Sequence, residues 1–411
     1  MDQIHRQLDN GIELAALRLP ERHAIAIEIR MLAGLVNEPA EKLGLAHLVE
    51  HTLDKGTARF DGRGLSDAFD EIGASTSSWC GREATGFVSL CLPEYFDRNI
   101  ELHAEFLRTP TFPEESCSIA VELSRQELLT LDDDAQALAD KLIGKQAYGP
   151  LHGRHVVGER ETLATINRDD FVEFWRNNYG AGRMIVSVAG PVEPDAVIAS
   201  LERHFAGFGD TTPSHREPIP IEFSPVTTHH PKDTEQEQIA LAMPGVPITH
   251  QDYPAEKILV GVLSGGMSAR LFTEVREKQG LVYWVQAWQE NPRNGGVIFL
   301  GASTTPERCD KTYETLLAEL ERVGKDVTEE EVERAKTGLA VRADVRSDLT
   351  RARCTEQSDD IMHYGKPKTM EEKLARYQAV SVQDIKDYAA QRLTHGGLSV
   401  VTLGPRALHE S

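Results

Sequence analysis

Within the stretch Gly44-Leu45-Ala46-His47-Leu48-Val49-Glu50-His51-Thr52-Leu53, two histidines stand four apart with a glutamate directly ahead of the second. On a helix, positions four apart share a face, so both imidazoles project to one side and the carboxylate lies beside the second. Neutral imidazoles in that arrangement suit zinc. The spacing is that of His-Glu-x-x-His read backwards, in which two side chains bind the metal and the glutamate is left to handle a proton. Leu45, Leu48, Val49 and Leu53 give the same helix an apolar face, and Gly56 can end it. A hydrolytic zinc site usually has three protein ligands and a fourth position open to water, so a third ligand must come from elsewhere in the chain.

The elements that hold this helix can be read around it. Asn10-Gly11 marks a turn, and strands are predicted over 12–19 and 24–32. In the second of these, Ile25, Ile27, Ile29 and Met31 alternate with Ala26, Glu28 and Arg30, the pattern of a strand with one buried face. The turn Asn37-Glu38-Pro39 leads into the motif helix, followed by a helix over 64–72, a strand over 87–92 and a helix over 93–107. Pro113-Glu114-Glu115 has the proline and acidic residues of a helix start, and the apolar pattern continues through Val121, Leu128, Leu131 and Leu138. Helix over 161–179 and strand over 183–190 close the unit. The loosened sequence after Gly207 places a linker at 211–225, between a metal-binding domain, 1–210, and a second domain, 226–411.

The second part repeats the first. Glu161-Thr-Leu-Ala through Pro191 is echoed by Glu372-Lys-Leu-Ala through Pro405, and Pro113-Glu-Glu by Thr328-Glu-Glu, at a nearly constant offset. Duplication of one α+β unit accounts for this. The counterpart of the motif helix lies near Val262-Leu-Ser-Gly-Gly-Met-Ser268 and has neither His nor Glu, so only the first copy can hold the metal.

A chain of 411 residues is long enough for two or more domains with full cores. No apolar run approaches the length of a membrane span, and Met1-Asp2-Gln3-Ile4-His5-Arg6 lacks a basic head with an apolar stretch behind it. The expectation is a cytoplasmic, unprocessed protein. The net charge of -21 and the absence of a Lys/Arg cluster argue against nucleic acid as a partner. Cys80, Cys91, Cys117, Cys309 and Cys354 are odd in number and lack paired spacing, which predicts reduced thiols.

Glu127 lies 76 positions after His51, on the helix that starts at Pro113. With it in place, the sequence resembles the pitrilysin-type, or inverzincin, zinc metallopeptidases, whose motif is His-x-x-Glu-His followed by a distant Glu. Asn37-Glu38-Pro39, Lys55-Gly56-Thr57 and Thr111-Phe112-Pro113 stand in the family's order, and Arg270 to Tyr283 resembles its segment carrying an Arg and a Tyr seven apart. The resemblance implies a pair of similar α+β domains, each a mainly antiparallel sheet with helices packed on one side. It implies zinc, one per chain, held by His47, His51 and Glu127, with Glu50 as the base. It implies substrate contacts from Arg276 and Tyr283, and peptide substrates added as a β-strand beside the metal along the segment containing Ser77 and Ser78. The family often has Asn-Ala at those two serines. Four such domains enclose a chamber, so the resemblance implies a homodimer. Its alternatives are an active subunit paired with a motif-lacking homologue, or a structural subunit without catalysis.

Overall fold

The computed structural model describes residues 3–210, 212, 218–393 and 397–409. The chain forms two compact units, each an α+β structure around its own sheet. The first sheet has six strands, β1 (Gln3–Gln7), β2 (Glu13–Arg18), β3 (Ile25–Met31), β4 (Ser75–Cys80), β5 (Thr85–Cys91) and β6 (Met184–Gly190), in the order β1-β2-β6-β3-β5-β4. Every pairing is antiparallel except β2 with β6. The second sheet has β7 (Thr227–Pro231), β8 (Glu237–Gly245), β9 (Val282–Glu290), β10 (Gly296–Thr304) and β11 (Ser399–Gly404), in the order β7-β11-β8-β10-β9. Here again one pairing is parallel, β7 with β11. The repeat in the sequence is therefore a repeat of topology. His229 and His230, which in sequence belong to the polar stretch after the linker, lie in β7.

The units do not follow the two sequence halves. The first comprises residues 1–128, 154–217 and 345–368, and the second comprises 129–153, 218–344 and 369–411. Each half therefore gives a helix to the other half's sheet. The Thr350–Tyr364 helix lies on the first sheet, where Cys354 Sγ donates to the Ser187 carbonyl at 3.0 Å and Ser358 Oγ meets Ser187 Oγ at 2.8 Å. The Ala135–His152 helix, kinked at Gly149, lies on the second sheet, with Ala139, Ile143 and Tyr148 against Ala240, Phe299 and Leu403.

This exchange explains why β3 is buried on both faces. Its Ala26, Glu28 and Arg30 face is covered by the Thr350–Tyr364 helix. Arg30 donates to Glu28 at 2.7 Å and pairs with Asp359 at 2.9 Å, so the charges that alternation assigns to solvent are neutralised under that helix. The long helix expected from Pro113 through Leu138 is two helices, Glu114–Asp133 and Ala135–His152. Asp134 leaves the helical region and its side chain accepts from the Ala137 N–H at 3.0 Å, starting the second helix with an N-cap. The five cysteines are unbridged.

Candidate active site

The motif forms the Leu45–Thr52 helix, with Leu45, Ala46, Leu48 and Val49 buried beneath it. Gly44, at its start, has φ +96°, and a side chain there would also meet Gly158 Cα at 3.1 Å. Helices leave their first N–H groups without partners, and this one has no cap from its own first residue. Glu38 supplies it from six positions upstream: Oε1 accepts from Gly44 N–H at 3.1 Å and Ala46 N–H at 2.9 Å. Burial pushes the Glu38 carboxyl up to about 8, against these two hydrogen bonds and the charges of Arg154 and His47. Its Oε2 has no hydrogen-bond partner among the described residues. Arg154 fixes the turn itself, donating to the carbonyls of Leu35 and Glu38 at 2.9 and 2.6 Å.

His47 and His51 project together, ring centroids 4.3 Å apart and nearly perpendicular. Glu50 is buried between them, with Oε2 at 3.6 Å from His47 Nδ1 and 3.5 Å from His51 Nε2. Burial alone would raise its pKa, but hydrogen bonds with His47 and Ser78 and the nearby imidazoles hold it below the usual carboxylate range. For His47 burial opposes the proton, yet Glu50 and Glu127 together hold the ring above its ordinary value. Glu127 comes from the Glu114–Asp133 helix and sets Oε2 3.4 Å from His47 Nε2. One ring thus links two carboxylates.

The residue types of His47, His51 and Glu127 suit zinc, and the His47–Glu127 pair has the spacing of two ligands. Two ligands at ~2.0–2.1 Å on a tetrahedral ion lie ~3.3 Å apart, close to the His47–Glu127 separation. Among the described residues His47, Glu50 and His51 each offer a donor atom within 4.8 Å of the other two, and Glu127 lies outside this group. The two glutamates differ in setting. Glu50 is walled in and held by Ser78, whereas the Glu127 side chain is 46% exposed and opposes the outer ring nitrogen.

Strand β4 ends the first sheet, and Ser75 to Ser78 are exposed along it. Ser78 reaches Glu50, and Ser77 Oγ accepts from Arg351 of the Thr350–Tyr364 helix. A cavity of about 380 Å³ opens beside them, with Glu50, Leu53, Phe69, Phe87 and Phe106 in its wall. The second unit holds the other two expected residues. Arg276 sits in a π-helical turn, Phe272–Lys278, with its guanidinium 5.4 Å from the Tyr283 ring and 5.0 Å from that of Phe272. Tyr283 is 78% exposed at the start of the edge strand β9. Sequence reasoning missed the capping role of Glu38 and the contact from Arg351. The first had a signal in the Asn-Glu-Pro turn before an uncapped helix, and the second had none.

Residues 14–157 match the family described as Insulinase (Peptidase family M16), and residues 165–339 match the Peptidase M16 inactive domain. The chain belongs to peptidase family M16. Among M16 relatives, an uncharacterized zinc protease of Rickettsia felis is 29% identical over 339 residues, 81% of each chain. One from Bacillus subtilis is 26% identical over 392 residues, 94% of each chain. The crystal structure of a peptidase M16 inactive domain from Pseudomonas fluorescens has the same fold, with TM-score 0.89 at 20% identity over 100% of this chain and 99% of that one. So does that of a protease from Helicobacter pylori, with TM-score 0.86 at 18% identity over 98% and 99%. The inactive-domain match includes the segment where the second copy lacks His and Glu. Among the described residues no helix is long and apolar enough to cross a membrane.

Proposed function

We propose that this M16 chain is a zinc-dependent metalloendopeptidase that hydrolyses short or unfolded peptides inside an enclosed chamber. The observation that carries the reading is Glu50, a buried carboxylate between two imidazoles, beside an exposed strand edge. His47, His51 and Glu127 would hold one zinc per chain. When bound, zinc supplies Lewis acidity, lowering the pKa of water towards about 7 and polarising a carbonyl.

The chain's own residues supply the rest. A peptide laid along β4 pairs its backbone with the free strand edge, which selects extended chains over folded ones. Glu50, held ionised by its neighbours, takes a proton from the attacking water on Oε2 and returns it to the leaving amine nitrogen. Ser78 keeps that carboxylate aimed, and the burial of Glu50 keeps bulk water from competing for the proton. Arg276 can donate charge-assisted hydrogen bonds to a peptide carbonyl, and Tyr283 can donate to the developing oxyanion. In this reading the working form is a homodimer in the cytoplasm.

Glu50→Gln tests the reading. The variant should keep its zinc and its fold but lose hydrolysis of a random peptide library by roughly 10²-fold or more, the scale of a positioned base. Equal cleavage by parent and variant would remove Glu50 from the chemistry. An inactive parent that carries zinc would favour a structural subunit.

A further inference from the structure

Between the two copies of the duplicated unit, the charge at the metal site has been inverted. The helix bearing Glu127 begins at Glu114, and its counterpart, Glu329–Ser347, begins 215 positions later. The same offset carries Glu127 to Arg342, His47 to Val262, Glu50 to Gly265 and His51 to Gly266. In the second unit all four of these positions line one cavity. Their juxtaposition supports the register independently of the helix starts.

The ligands for a cation are gone, and what replaces them is space and positive charge. The cavity measures about 50 Å³. One water needs about 10–15 Å³ by this measure, so the volume suits a single carboxylate or phosphate group. Glycines make the room: a side-chain carbon at Gly266 would meet nothing within 4 Å, and one at Gly261 would lie 3.2 Å from Ala335, where the two helices approach. Arg342 folds back along its helix, its Nη1 3.3 Å from where a Gly338 side chain would start. That direction takes it towards Arg334, which lies on the same helical face and also lines the cavity.

No acid inside the cavity neutralises these cations. Glu331, which lines it, is taken up by Arg270 through two bonds of 2.7 Å and by the Thr328 N–H at 2.9 Å. Arg334 meets Glu330 only at 3.8 Å, with the Glu330 side chain largely in solvent. Arg342 has no hydrogen-bond or ion-pair partner among the described residues. Lys257, half-buried in the adjacent helix, is held below the usual lysine range by burial and by the charge of Arg342. The backbone amides of Gly266 and Ser268 donate to no backbone carbonyl among the described residues. In a chain of net charge -21, this cluster runs against the overall sign.

We propose that this cavity, the counterpart of the metal site, is an oxyanion site in which Arg342 and Arg334 bind a carboxylate or phosphate group. The carboxylate source is a peptide, through its C-terminus or an acidic side chain, and the phosphate source is the free ion. Calorimetric titration of the full-length Glu50→Gln protein, which on the proposed function cuts peptides roughly 10²-fold more slowly, distinguishes them. The probes are an N-acetylated tetra-alanine with a free C-terminus, the same peptide amidated, and inorganic phosphate.

The free-acid peptide or phosphate should bind, more weakly as salt rises, and the added substitution Arg342→Gln should weaken that binding about tenfold or more, as loss of a charge-assisted bond requires. Arg342→Lys should recover part of it. A free-acid peptide that binds more tightly than both other probes assigns the site to peptide ends, and phosphate alone assigns it to the free ion. Zinc held in the first unit would bind anions too, but that contribution would be common to both proteins and would cancel in the difference. Arg342 is exposed, so the variant should melt with its parent. Identical affinities in parent and Arg342→Gln, or no heat from any anion, would overturn the proposal.

Discussion

Replacing Glu38 by glutamine separates its two jobs, because the amide oxygen can still accept from Gly44 and Ala46 while the side chain no longer titrates. In the folded protein the carboxyl is pushed up to about 8, against an ordinary value of 4.5. Between those values the folded state keeps a proton that the unfolded chain has released. Stability from this group is therefore complete at low pH and is lost as pH rises towards 8. At about 1.4 kcal/mol per unit, the loss between pH 6 and pH 8 comes to about 2 kcal/mol. For a unit of this size that is roughly 4–8 °C in melting temperature. The assay is the thermal midpoint of wild type and Glu38→Gln, with equal zinc, at pH 6, 7 and 8. Wild type should fall relative to the variant by that amount as the pH rises. A gap between the two proteins that stays constant over this range would refute the reasoning. Glu38→Ala should be less stable at every pH, because it leaves two buried N–H groups without an acceptor at a cost of about 1–3 kcal/mol each.

Glu127→Gln should weaken zinc retention, read by elemental analysis after dialysis against a mild chelator; undiminished zinc would mean that another group is the third ligand. Arg30→Met should destabilise the first unit by about 3–5 kcal/mol, because it leaves the Glu28 carboxyl buried without its partner, and a shift in the first melting transition of under 1 °C would show the pair to be dispensable. If a two-fold homodimer supplies Arg276 and Tyr283 in trans, mixing Glu50→Gln with an Arg276→Ala/Tyr283→Phe variant should restore about a quarter of wild-type activity through mixed dimers. No recovery from mixed dimers seen by native mass spectrometry would place that pair in cis.

The motif helix and the apolar face of β3 were legible because each rests on a period that local sequence carries. The polar face of β3 was not. Glu28 and Arg30 look like solvent residues until a helix more than 300 positions away closes over them and Asp359 completes the ion pairs. The break at Asp134 was hidden for the opposite reason, since the apolar spacing runs on through Leu138 while one capping side chain redirects the backbone. In the site, His47, Glu50 and His51 announce themselves by spacing, and Glu127 needed the family pattern. Glu38 and Arg351 act through tertiary proximity, which no periodicity records.

The exchanged helices have a consequence for synthesis. The last strand of the first sheet, β6, ends at Gly190, but its covering helix begins at Thr350, some 160 residues later. At about 5–20 residues per second, that sheet waits on the order of 8–30 s with one face open. The face that waits has apolar residues, among them Leu17, Ala26 and Ile185, but it also carries Glu28 and Arg30, which water can solvate in the meantime. The second sheet faces no such delay, because the Ala135–His152 helix is made before any of its strands, and the face that meets this helix is apolar: Ala240, Ala242, Val297, Phe299, Val401 and Leu403. Of the two buried faces, charge stands on the one that must spend time uncovered.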